Sequence, residues 1–179
     1  MNIFFLDKNP ILAAKYHSDA HVIKMILESA QLLSTAHRVL DGYEVVTQNK
    51  IGHRLKRWLM RNSESEAALY KSTHVNHPCA IWVRESVDNY TWLFQLYLAL
   101  LNEYNFRFGK HHKSSGLAAR LATPPINIPL KGFSINTLIN AMDEVYRVPN
   151  DLVATYRNYY KGTKQHLFKW TKREKPEWI

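Results

Sequence analysis

Only one cysteine, Cys79, occurs in 179 residues. A disulfide within the chain is therefore excluded, and that usage fits a reducing compartment. Six glycines are present, and none falls in a GxGxxG or GxxxxGKS/T run. A Rossmann-type dinucleotide site and a P-loop phosphate cradle both lack their sequence. No GxSxG elbow supports a serine triad. No apolar run approaches the ~20 residues that span a bilayer. The opening MNIFFLDKNP has no basic lead before its short apolar stretch, so no secretory leader is expected. These absences point to a soluble, cytoplasmic protein without a membrane partner. Acidic residues are scarce too: 15 stand against 24 lysines and arginines, a formal net charge of +9. Such an excess suits a polyanionic partner such as nucleic acid, or else a merely soluble basic surface.

What is present suits one globular domain. Hydrophobic residues make up 46% and charged residues 22%, enough for a real core. Aromatics reach 12%, more than a core of this size needs. Residues 2–6 read as a short extended segment entering the core. Asn9 and Pro10 open a short helix over 11–17. Ser18 or Asp19 caps a long second helix to about Leu40, which Asp41-Gly42 ends. Residues 43–52 read as a loop or irregular strand, and 52–60 as a basic amphipathic helix. A short helix over 64–71 is capped by Ser63 or Ser65. Pro78 opens the longest helix, about Cys79 to Tyr104, apolar nearly all round. A basic loop (106–116), a short helix (116–122) and a proline-stiffened crossing loop (123–132) follow. Residues 134–142 make one or two helical turns, and a helix over 150–160 ends at Gly162. The tail, 163–179, has moderate order at best. The expected fold class is all-α: a compact single-domain helical bundle over 1–179, built around two long buried helices at about 19–40 and 79–104.

The second helix carries the candidate chemistry. His17, His21, Lys24, Glu28, Gln31 and Thr35 are spaced 4, 3, 4, 3 and 4 residues apart, which puts them on one helical stripe. The other faces are apolar, so the stripe either faces a pocket or is the solvated edge of an ordinary amphipathic helix. In a dry pocket Lys24 and Glu28 form a potential nucleophile and general acid/base. His21 near Lys24 depresses the pKa of both, the condition for an amine to attack carbon at neutral pH. His17 and His21 are candidates to orient or protonate, with Gln31 and His77 as further pocket residues. The same two histidines are spaced to share a metal, but no glutamate lies between them. A third ligand would have to come from Glu28, His74, His77 or Cys79. No metal and no cofactor is expected. HVNHPC (74–79) is not a zinc spacing, and its imidazoles equally suit helix caps or phosphate contacts.

A second feature is basic–aromatic interleaving toward the C-terminus. Arg157, Tyr159, Tyr160, Lys161, Lys164, Lys169 and Trp170 combine cations for phosphates with flat rings for bases. The alternative is a core-facing aromatic stripe beside a solvated lysine face. Arg54, Lys56 and Arg57 form a second basic cluster, and Lys110 and Lys113 belong to a third. Three patches suggest a groove long enough for a strand or duplex.

The blocks HVIKMILE (His21 to Glu28), HPCAIWVRESVDNYTWLFQL and YRNYYKG occur in an order that resembles the phage pyrimidine-dimer DNA glycosylases of the endonuclease V type. The resemblance implies a small, basic, helical DNA enzyme in which an N-terminal amine attacks the sugar C1′. Its helix glutamate carries over to Glu28, and its aromatic–basic DNA contacts to Tyr159, Tyr160 and Lys161. The nucleophile does not carry over cleanly. That family exposes a small second residue, whereas Asn2 stands here and is expected to retain Met1. The arginines beside the family's glutamate are missing, and 106–148 is an added segment. MNIF at one end and KWTKREKPEW at the other also look like a phage and bacterial protein family, which adds context but no activity. The expectation is a DNA glycosylase, or glycosylase/lyase, acting on double-stranded DNA with an extruded base. Lys24 or the N-terminal amine is its nucleophile. The alternatives are a non-catalytic nucleic-acid-binding phage factor and a nucleotide-processing enzyme.

Overall fold

Asn9 starts the first helix, α1 (Pro10–Tyr16). Its side chain accepts from the amides of Ile11 and Leu12, and Pro10 leaves no amide unpaired. After a short break comes α2 (Asp19–Asp41), the mostly buried rod that the apolar periodicity predicts. It stops at Gly42, where any side chain would collide with the carbonyl oxygens of Arg38 and Leu59. The computed structural model describes residues 1–48 and 51–179.

The expected helix over 79–104 is two helices, α4 (Pro78–Glu85) and α5 (Val87–Phe108). Ser86 breaks it with an extended backbone. Its hydroxyl accepts the amides of Asp88 and Asn89 and donates between the carbonyls of Lys131 and Gly132. The residue therefore caps α5 and ties the crossing loop to it. Helices α2, α4 and α5 pack on one another, with α1 against α5. Met25, Ile26, Leu33, Trp82, Leu93, Leu96 and Leu100 meet there without exposure. Each such side chain contributes about 1.5–3 kcal/mol by leaving water.

The helix expected over 52–60 is instead strand β2 (Arg54–Leu59), antiparallel to β1 (Tyr43–Gln48). The chain is thus mostly helical with one small sheet, rather than all-α. Residues 49 and 50, part of the loop expected over 43–52, lie outside the described residues. The foot of the hairpin is fixed by Arg38. Its buried guanidinium donates to the carbonyls of Trp58, Glu66, Leu69 and Tyr70 and meets the Glu66 carboxylate at 2.5 Å. Helix α3 (Ser63–Ala68) is capped by Asn62, not by a serine.

A 3-10 turn over Lys113–Leu117 leads into α6 (Ala118–Leu121), and another covers Leu138–Ala141. Helix α7 (Leu152–Thr163) is capped by Asp151 and runs through Gly162 instead of ending there. A Cβ at Gly162 would lie 2.8 Å from the Tyr146 ring, so glycine admits that ring.

The tail is ordered, contrary to expectation. Lys169 O accepts the Asp19 amide at 2.8 Å, and Thr171 binds the Asp19 carboxylate through its amide and hydroxyl. Arg107, buried in α5, joins Asp19 to Glu103, and Arg173 grips the other Glu103 oxygen. Among the described residues no helix is long and apolar enough to cross a membrane.

Candidate active site

Burial splits the polar stripe of α2 in two. His17 is fully buried, with Nδ1 donating to the Ala13 carbonyl at 2.6 Å and Nε2 without a partner. His21 is also buried. Its ring stacks at a tilt on Phe4, 4.6 Å away, and Nδ1 lies 2.7 Å from the Tyr160 hydroxyl. Thr35 is buried at the far end, where its hydroxyl oxygen accepts the Thr73 amide. Lys24, Glu28 and Gln31 reach the surface. The stripe therefore neither lines a pocket as a whole nor faces water as a whole.

Burial sets the titration of the histidines. It lowers His17 to about 4, helped by the Arg107 charge. It lowers His21 to about 3, helped by charge on His17, Lys164, Lys24 and His166. Both are neutral at pH 7, so neither is a standing general acid. His37, buried against the Tyr90 hydroxyl at 2.9 Å, is lowered to about 4 mainly by burial. An unfolded imidazole takes its proton near pH 6.5. The folded state refuses it until far lower pH, so stability held above about 6.5 drains away as pH falls toward those values. Denaturant unfolding at about pH 5 is expected to show several kcal/mol less stability than at about pH 7.5. Equal stabilities at the two values would mean these imidazoles are hydrated.

The exposed half of the stripe centres on Glu28. Its side chain is 12% exposed, and Lys24 Nζ, on a side chain 65% exposed, lies 3.5 Å from Oε1. The other oxygen, Oε2, accepts the backbone amide of Asn2 at 2.9 Å. That contact depends on a strained turn. The Asn2 side chain accepts the amides of Ile3 and Phe4, and Phe4 sits at φ +52°, a region a bulky residue rarely occupies. Such strain concentrates where a chain is held for function. His77 lies nearby and caps α4, with Nδ1 accepting the Cys79 amide. Its pKa is lowered by burial, then by the α-amine of Met1 and by His74, with Glu28 opposing.

The basic–aromatic positions also divide. Tyr160 is fully buried, and its hydroxyl accepts the Ser18 amide, so it is a core residue and not a DNA contact. Arg157 is committed to the Leu6 carbonyl and the Asp7 carboxylate. Trp170 is half-buried and donates to the Tyr16 carbonyl. Lys161 and Lys169 are exposed, as are Lys110 and Lys113. Lys164 stands over the ring of half-buried Tyr159 at 5.0 Å. Arg54 and Lys56 are exposed and Arg57 half-buried, all on the hairpin.

Phe4 was not among the residues singled out from sequence, and Asn2 was weighed only for retaining Met1. Only the fold brings Asn2 to Glu28 across 26 positions, and MNIFFL reads as a plain apolar strand. Clefts of about 800 Å³, lined by Phe5, Trp92 and Phe133 among others, and about 900 Å³, between α1 and α5, lie elsewhere. Glu28 is reached from the surface. Among the described residues no three His, Cys, Asp or Glu side chains converge as metal ligands. Compared with known proteins, the chain matches no family model, no curated protein and no solved structure.

Proposed function

We propose that this chain is a DNA-acting enzyme of the glycosylase type, with a lyase step following from an imine. The observation that carries the reading is the convergence at Glu28. One half-sheltered carboxylate is bracketed by the Lys24 ammonium at 3.5 Å and by the backbone amide of Asn2 at 2.9 Å. The α-amine of Met1 and Glu28 both act on His77. Lys24 and Lys164, whose charges both act on His21, suit phosphates beside an extruded nucleotide. The resemblance of HVIKMILE and YRNYYKG to the phage glycosylases agrees with this order of parts. The buried free thiol of Cys79 suits a reducing, cytoplasmic setting.

In this scheme the amine adds to C1′ and the C1′–N bond to the base breaks. Its electron pair leaves with the base, which takes up a proton. The sugar ring then opens to an imine as Glu28 moves protons at O4′ and the amine. Loss of the C2′ proton from that imine expels the 3′ phosphate. Borohydride reduces the imine and fixes the enzyme to DNA. Wild type incubated with a duplex carrying an abasic site and borohydride is expected to give a covalent adduct, and peptide mapping names the amine. Lys24→Ala is expected to lower trapping at least ten-fold if Lys24 attacks, whereas undiminished trapping moves the role to the α-amine. Absence of any wild-type adduct on abasic, dimer-containing and base-modified duplexes overturns the proposal.

A non-catalytic nucleic-acid-binding protein is the second reading. The placement of the larger clefts away from Glu28 favours it. It requires that Glu28→Gln and Lys24→Ala leave salt-dependent DNA affinity unchanged, with no product formed.

A further inference from the structure

None of the twelve residues of β1 and β2 is buried. The pairing puts Glu44, Val46, Gln48, Arg54, Lys56 and Trp58 on one face of the ribbon. Gln48 opposite Arg54 is the pair farthest from the foot. Arg54 and Lys56 share that face with Glu44, the one carboxylate of the two strands, which pairs with Lys56 at 2.9 Å, and Arg57 stands on the opposite face. Arg61 adds a further cation at the foot, over the Tyr43 ring. The foot is anchored from both sides. Arg38 holds the Trp58 carbonyl, and the Glu66 carboxylate accepts the Met60 amide at 2.7 Å. The ribbon is therefore a cationic arm held at its foot, with no residue of either strand buried.

We propose that this arm enters the major groove of duplex DNA, with Arg54 and Gln48 at base edges and Lys56, Arg57 and Arg61 on phosphates. The inference rests on the DNA reading above but not on its chemistry. A two-stranded ribbon fits the ~12 Å major groove of B-DNA, where arginine reads guanine and glutamine reads adenine. The deep, narrow major groove of A-form RNA does not admit such a ribbon. A single strand would call for stacking rings along the arm. Its two aromatics, Tyr43 and Trp58, sit at or next to the foot, and Arg61 covers Tyr43. The arm leaves from the end of α2, 13 residues beyond Glu28, or ~20 Å along the helix. At 3.4 Å per base step that is about six base pairs, so groove contacts should lie to one side of the reacting nucleotide.

The test uses the full chain on a duplex of about 30 base pairs, with affinity followed across salt and methylation mapped at guanine N7 in the major groove and at adenine N3 in the minor groove. Wild type is expected to protect guanines in the major groove about six base pairs from the reacting position. Arg54→Ala is expected to lose that protection and about ten-fold or more in duplex affinity. Lys56→Ala should weaken binding uniformly and reduce the salt slope by about one. Glu28→Gln keeps the footprint, so turnover retained in that variant with an intact footprint sinks only the glycosylase reading. Wild-type affinity and salt slope in the Arg54→Ala/Lys56→Ala/Arg57→Ala variant overturn the proposal, as does protection confined to the minor groove. Tighter binding to single strands or RNA also overturns it. Should the triple variant lose its fold, the two single variants and the wild-type footprint still decide.

Discussion

Replacing Glu28 by Gln is expected to cut base release and borohydride trapping by about 10²–10⁴-fold while DNA affinity stays within about two-fold. Glutamine keeps the shape of the side chain and an oxygen to accept the Asn2 amide, which glutamate accepts at 2.9 Å. What disappears is the charge facing Lys24 and the ability to exchange a proton. The side chain is near the surface at 12% exposure, so the fold should survive, and an unchanged unfolding midpoint makes the kinetic result readable. Single-turnover base release on a lesion-bearing duplex is the measurement. Activity within a few-fold of wild type would mean that Glu28 moves no proton, and the proposed chemistry would fall with it.

The largest effect on stability is expected from Arg38→Met. The guanidinium is 1% exposed and serves four carbonyls and one carboxylate drawn from β2 and the segment after it. Methionine fills much of the volume but leaves those acceptors, and the Glu66 charge, without their donor. The Glu66 carboxylate is 36% exposed, so the loss falls mainly on the four carbonyls left without a donor, about 3–5 kcal/mol together, a fall in Tm of roughly 10 °C for a chain of this size. Lys56→Ala removes a solvent-exposed pair with Glu44 and is expected to cost under about 1 kcal/mol. Thermal and urea unfolding of the two variants side by side tests the contrast. A loss below about 1 kcal/mol for Arg38→Met would show that the hairpin is held by something else.

Much of the helical framework was legible because its signals are local. Asn9-Pro10 and Asp151 act through neighbours two or three positions away, and the limits of α2 fell within a residue of expectation. The hairpin was misread because Leu55, Trp58 and Leu59 recur at i, i+3 and i+4, which fits a helix as well as a strand. The β-branched run Val45-Val46-Thr47 was the signal that favoured pairing. The break at Ser86 was equally visible as a serine two residues before an aspartate, yet the apolar run across it masked the cap. The candidate site was legible only in its helix. Periodicity placed Lys24 and Glu28 together. It had no means of showing that Tyr160 would seal His21, or that Asn2 would fold back through a strained turn, since those contacts span 139 and 26 positions.

The strap that residues 169–173 lay across the beginning of α2 bears on the order in which the domain closes. The Ser18 side chain caps no backbone amide of that helix among the described residues, and the Asp19 amide finds its acceptor at Lys169. Arg107 likewise shares Glu103 with Arg173. A nascent chain that has not yet delivered these late residues leaves the head of its main helix uncapped and two carboxylates half-neutralised. Such distant closures are slow to form, so the head of α2 is expected to lock late in folding. Truncations before about residue 169 should then behave as loosely packed, protease-sensitive species.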